Sequence, residues 1–257
     1  MPEIEAILNR RTDLSTFVVH LTRADGERTP LDQLTSIYQA HRIEARSPQG
    51  WAKAHDVADD PRRQSQRVVC FSEVPLEHIH LLTGSITLWG VERRVPLAPY
   101  GVALTKLTAR RLGVNPVWYV DMTPGREWTI STALNELVEI ALQSGDLHSH
   151  PAARILPFID MMGRWDSRET IKEFSWEREW RHVGDVELAD TAAIWLCPEE
   201  DIGELQSRVG ELTTWIDPAW GLERIIAHLA GFAPADVSPF ANPPRRDLRE
   251  LIRDLLH

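Results

Sequence analysis

Two glutamates two residues apart, Glu177 and Glu179, stand in the stretch SWEREWRHV, with Arg181 two further on and tryptophans between them. On a strand, successive side chains alternate faces. Glu177, Glu179 and Arg181 would then share one face, and Trp176, Arg178, Trp180 and His182 the other. A carboxylate pair lining a cleft is suited to stabilising a developing positive charge. The plainer reading is an exposed strand face on which Glu and Arg pair across a sheet, and periodicity alone favours it. A second set lies in VVHLTR, where His20 and Thr22 share a face with Val18. Together they offer donors and acceptors suited to a pair of ribose hydroxyls. A lone histidine in an apolar strand is, however, more often a satisfied core residue. In CFSEVP, Ser72 faces away from Phe71 and Glu73. It can organise a neighbouring carboxylate or simply end the strand.

Other motifs carry less. HSHP at 148–151 resembles the histidine pair of JAMM-type zinc peptidases, but the following AARILPFIDMM supplies Asp160 without a serine at a suitable offset. Histidines at a helix C-terminus, favoured there by the dipole, are the simpler account. His78 and His80 would face different sides of a helix. Cys70 sits in an apolar strand and reads as core. The Arg-Arg pairs at 62, 93, 110 and 245 are scattered and read mostly as solvated faces, though one or two could meet a phosphate.

The elements that must position these residues follow from pattern. STFVVHLTR, RVVCFSEVP, YGVALTKL and NPVWYVDM read as strands. Thr29 caps a helix that begins at Pro30 and carries Leu31, Leu34, Ile37 and Tyr38 on one stripe. Residues 2–11 are expected to form a short helix, 129–145 the clearest helix of the chain, and 153–163 a second, very apolar one. FSWEREWRHVGDVEL reads as a strand pair turning at Gly184-Asp185. TAAIWLCPEED runs from strand into helix, DPAWGLERIIAHLAGF is an amphipathic helix, and NPPRRDLRELIRDLLH a terminal one. The long polar stretch 47–67 is a candidate for a functional loop. No Gly-rich phosphate loop is present. The order predicts an α+β fold with mostly antiparallel pairing.

Bulk properties narrow the class. The 257 residues suit one large domain, with 43% hydrophobic and 26% charged residues as in ordinary soluble proteins. A formal charge of −10 argues against default attraction to nucleic acid or anionic lipid. Two cysteines make no disulfide framework, and neither a signal peptide nor a membrane-length apolar run is evident, so a cytoplasmic protein is expected. The ten tryptophans are enough to line a pocket for a planar ligand as well as to fill a core.

Taken in order, VVHLTR, RIEAR, VVCFSEVPL, YGVALTKL, GVNPVWYVD, EREWR and IDPAWGLERIIAHLAG resemble the bacterial abortive-infection proteins of the AbiGi type. Their order and spacing over roughly residues 15–230 also resemble DarT-like and other ADP-ribosyltransferase folds. The latter resemblance implies a split antiparallel β-sandwich around an NAD cleft. It implies a single domain over 1–257, with a helical insertion near 125–170 and a C-terminal helical extension near 216–257. Carried over residue by residue, it makes Glu179 the catalytic glutamate and Glu177 its substrate-side partner. His20 and Thr22 become NAD contacts, Ser72 positions the glutamate, and Arg23 or Arg46 holds the pyrophosphate. No clean arginine motif precedes the serine strand, which leaves the branch of the superfamily open. The chemistry needs no metal: a carboxylate would stabilise the oxocarbenium-like ribose, as in glycoside cleavage. The expectation is therefore a toxin or phage-defence effector that transfers ADP-ribose from NAD to a protein or nucleic-acid acceptor, with loop 47–67 closing over the cleft. Alternatives are an inactive antitoxin or regulatory protein that binds a cognate toxin, because AbiGi-type proteins occur in toxin–antitoxin settings, and an NAD glycohydrolase.

Overall fold

A computed structural model describes residues 14–56, 65–88, 91–95, 97–123, 129–163, 175–212 and 214–232. In chain order the strands are β1 (Phe17–Leu21), β2 (Arg42–Ile43), β3 (Ser47–Pro48), β4 (Arg67–Ser72), β5 (Gly84–Leu88), β6 (Val91–Val95), β7 (Gly101–Thr105), β8 (Asn115–Pro116), β9 (Trp118–Asp121), β10 (Ile159–Met162), β11 (Glu179–Val183), β12 (Val186–Glu187), β13 (Ile194–Leu196) and β14 (Trp215–Ile216). The helices are α1 (Pro30–Ala40), α2 (Lys106–Arg111), α3 (Thr129–Gln143), α4 (Ile202–Val209) and α5 (Leu222–Leu229). The expected helix at 2–11, the terminal helix and the centre of loop 47–67 lie outside the described residues.

Eight strands form one open sheet in the order β14-β13-β7-β1-β4-β11-β8, with β3 also on β4. The pairing is antiparallel except between β13 and β14. The fold class is thus mixed, with several helices around a multistranded sheet. The split sandwich implied by the resemblance divides its strands between two facing sheets, whereas the smaller sheets here, β9–β10, β2–β12 and β5–β6, hold only two strands each.

Both faces of the open sheet are apolar. Val18, Val69, Phe71, Val102, Leu104 and Trp180 point to one side, where Ile43, Ala109, Val114 and Leu188 cover them. Val19, Leu21, Ala103, Leu196 and Ile216 point to the other, under Leu76, Ile79, Trp220 and Ile225. Residues 120–159 build their own core from Val120, Leu134, Val138, Leu147, Leu156 and Ile159. Cys197 belongs to a fourth cluster with Leu34 and Leu205. Glycine is required where β7 crowds β1: Gly101 pairs with Leu21, and a Cβ there would overlap the His20 carbonyl oxygen.

Local chemistry explains most elements. Thr29 and Asp32 form a reciprocal capping box at the start of α1, with Pro30 at its first turn. Thr105 caps α2 by accepting from the Thr108 N–H. Three expectations need correction. Residues 153–163 are not a helix but the short 3-10 turns Pro151–Arg154 and Leu156–Phe158 followed by β10. Pro157 has no N–H to donate and its ring clashes with the preceding turn, so an apolar run cannot continue as α-helix there. NPVWYVDM divides into β8 and β9, which pair with different sheets. The turn at Gly184-Asp185 does not close a hairpin, because β12 pairs with β2 rather than with β11. Among the described residues no helix is long and apolar enough to cross a membrane.

Candidate functional site

β11 brings together some of the residues singled out in sequence. In register with β4, Glu179 lies opposite Ser72 and Arg181 opposite Cys70, so these four share a face. Trp180, opposite Phe71, is buried on the other. The alternation expected of Glu179, Trp180 and Arg181 is realised. Glu177 reaches the same neighbourhood differently: it ends a 3-10 turn, Ser175–Glu177, and Arg178 then takes a left-handed φ of 45° before the strand begins. A non-glycine residue seldom adopts that conformation. It is held here by an ion pair from Arg178 to Glu73 at 3.0 Å and by the Glu73 N–H donating to the Arg178 carbonyl at 3.1 Å.

The centre of the cluster is Arg181, only 2% exposed. Its Nε donates to Glu179 Oε1 at 2.9 Å, and one terminal nitrogen donates to Glu179 Oε2 at 2.7 Å and to Asp160 Oδ2 at 2.6 Å. The other donates to the Pro157 carbonyl at 2.8 Å. A buried guanidinium must be paired in this way, since an isolated charge in a low-dielectric interior is very costly. Tyr119 OH lies 3.5 Å from Glu179 Oε2. Burial, then the neighbouring Glu179 carboxylate, pushes the Glu177 carboxyl up to about 7. Burial, then the Glu179 charge, also pushes up the Cys70 thiol and the Tyr119 phenol. The arrangement is an anchor: Asp160 and Pro157, from the segment that follows α3, are bolted onto the central sheet through one guanidinium. Both Glu179 oxygens accept from Arg181.

The remaining predicted contacts do not join this cluster. His20 lies on the opposite face, 5.7 Å from the Phe71 ring. Its Nδ1 sits 2.9 Å from the Cys70 carbonyl, which accepts only, so Nδ1 carries the proton. Burial pulls the imidazole below its usual value and keeps it neutral. Thr22 is buried, with its hydroxyl against the Pro30 and Tyr100 carbonyls. Arg23 is exposed and donates to Ser47 Oγ at 3.3 Å. Arg46 is neutralised by Asp25 at 3.2 Å and Glu44 at 3.0 Å, and also donates to Gln33. Ser72 alone of the proposed binding residues stands beside Glu179. Sequence reasoning missed Asp160, Tyr119 and a second buried carboxylate, Glu73. Glu73 is 2.7 Å from Lys106 Nζ and accepts from the Trp180 indole at 3.2 Å, while Lys106 and Arg110 lie over the Trp180 ring. The cation–aromatic composition of KLTARR and EREWR was the available signal.

Residues 35–201, about two thirds of the chain, match the family described as "Putative abortive phage resistance protein AbiGi, antitoxin". The chain belongs to this family. The match bears out the abortive-infection resemblance and corrects the functional expectation: the family is one of antitoxins, not of ADP-ribosyltransferase toxins. Neither the curated proteins nor the solved structures yield a match.

Proposed function

We propose that this chain is the antitoxin of a phage-defence pair and that it neutralises a cognate toxin protein by binding it directly. The observation that carries this reading is the antitoxin family match over residues 35–201. Two features support it. Glu179, the carboxylate best placed for chemistry, is held by two hydrogen bonds from the buried Arg181, which suits a structural part. The formal charge of −10 favours a partner with a basic surface over a nucleic acid target. The test is co-expression with the protein encoded beside it. Growth arrest by that protein alone, rescue by this chain, and co-elution of the two as one species are the expected results. Rescue without a complex, through a lowered toxin transcript for instance, would sink direct binding.

A further inference from the structure

A cavity of about 320 Å³ lies where the β8 edge of the sheet meets the 3-10 turns after α3. Its polar lining is Ser65, Asn115, His148, Arg154 and His182, with Phe158 supplying an aromatic wall. None of its lining residues is acidic, in a chain that carries 38 Asp and Glu against 28 Lys and Arg.

The hydrogen bonds behind this lining fix what it presents. His182 Nδ1 is 3.0 Å from the Gly184 carbonyl and must carry the proton, which leaves Nε2 as an acceptor beside Gly113. Gly113, at φ +91°, contributes no side chain to that wall. Asn115 donates its amide to the Gly113 carbonyl at 2.9 Å, which leaves its side-chain oxygen as a second acceptor. On the other side, Ser65 Oγ accepts from Gln66 at 3.0 Å and lies 2.6 Å from His148 Nδ1. The hydroxyl can donate to Nδ1, and the His148 tautomer compatible with that bond puts an N–H donor at Nε2. Arg154 is exposed and has no hydrogen bond or ion pair among the described residues. His150, the other histidine of HSHP, is occupied in accepting from the Ala152 N–H.

The cavity therefore offers a cation and an N–H donor together with two acceptors and a ring. We propose that it binds a free nucleoside monophosphate. The phosphate takes Arg154 and His148, since guanidinium and imidazole N–H groups are strong partners for phosphate oxygens. The sugar hydroxyls or base amino group donate to His182 and Asn115, and Phe158 packs against the ring system. The volume lies at the lower end of the roughly 300–1,000 Å³ usual for ligand sites, which suits one nucleotide rather than a dinucleotide. The site is independent of the toxin-binding reading.

Titration calorimetry on the full chain with each of the four common 5′-ribonucleoside monophosphates, adenosine and inorganic phosphate tests this. At least one nucleotide is expected to bind with a sub-millimolar Kd, at least tenfold more tightly than either adenosine or phosphate. Arg154→Gln, an exposed change, should weaken that nucleotide at least tenfold with an unaltered melting curve. Arg110→Gln, over the Trp180 ring, should leave it unchanged. No nucleotide binding below millimolar, adenosine equal to its monophosphate, or an Arg154→Gln variant that binds like the parent would each overturn the proposal. So would a short RNA that binds more tightly than any free nucleotide through the same arginine.

Discussion

Arg181 carries the clearest consequences at the scale of single residues. Removing Glu179 leaves a 2%-exposed guanidinium short of two of its four hydrogen bonds. Glu179→Ala should cost about 3 kcal/mol in urea unfolding, the low end for breaking a buried pair, because Asp160 and the Pro157 carbonyl remain. The triple change Glu179→Leu, Arg181→Met and Asp160→Asn should recover much of that loss, because it removes the guanidinium together with both carboxylates that pair with it and leaves no unpaired charge. A loss-free Glu179→Ala would show that the guanidinium finds water instead. Glu177 makes a separate prediction. Its carboxyl is raised from 4.5 to about 7 on folding, so the native state binds more protons than the unfolded state between those values. Stability contributed by its protonated form is complete below about 4.5 and is lost as pH rises through about 7. Glu177→Gln should flatten this part of the pH–stability profile, by about 1–2 kcal/mol after screening at a part-exposed site. The Glu-x-Glu-x-Arg spacing made the core of this cluster legible in sequence. Asp160 and the Pro157 carbonyl were not, because they arrive from across the fold and nothing local marks them.

Among the elements, β4 explains what His20 does. One edge of β4 is filled by β11 along five residue pairs, from Val68 to Ser72. The other is shared: β1 pairs at Ser72 and β3 at Val68 and Arg67. Cys70 falls in the gap between them, and its carbonyl receives the His20 imidazole in place of a strand N–H. A buried backbone carbonyl needs some partner, and here a side chain from the neighbouring strand supplies it. His20→Ala should therefore lower stability by about 1–3 kcal/mol, read from the denaturation midpoint. A contact made only to a bound ligand would leave that midpoint where it was. The β-branched runs announced β1, β4 and β7, since burial on both faces selects them. Partner choice was less legible. Whether VGDVEL folds back on β11 or crosses to β2 depends on which edge is free, a tertiary fact. The apolar 153–163 run misled for a local reason that was visible, Pro157 in its middle.

At the scale of the whole molecule, charge is the property that bears on function. The chain carries −10 while its central sheet is buried on both faces, so its excess charge is available to a partner rather than consumed in folding. Composition displayed that much, and family membership supplies the partner's kind, a toxin. Geometry adds that the main carboxylate cluster contributes less to this field: Arg181 offsets one of the two negative charges of Glu179 and Asp160, whose side chains are largely buried. Association with the toxin should then be steered by the exposed acidic surface. Its on-rate should fall at least tenfold between about 20 and 300 mM salt, as the Debye length contracts, while the off-rate changes much less. Stopped-flow mixing of the separately purified pair measures both. An on-rate indifferent to salt would mean that the toxin docks on an apolar face instead. The exposed Leu222, Ile226 and Leu229, which recur at four and three on α5, would then be the first residues to substitute.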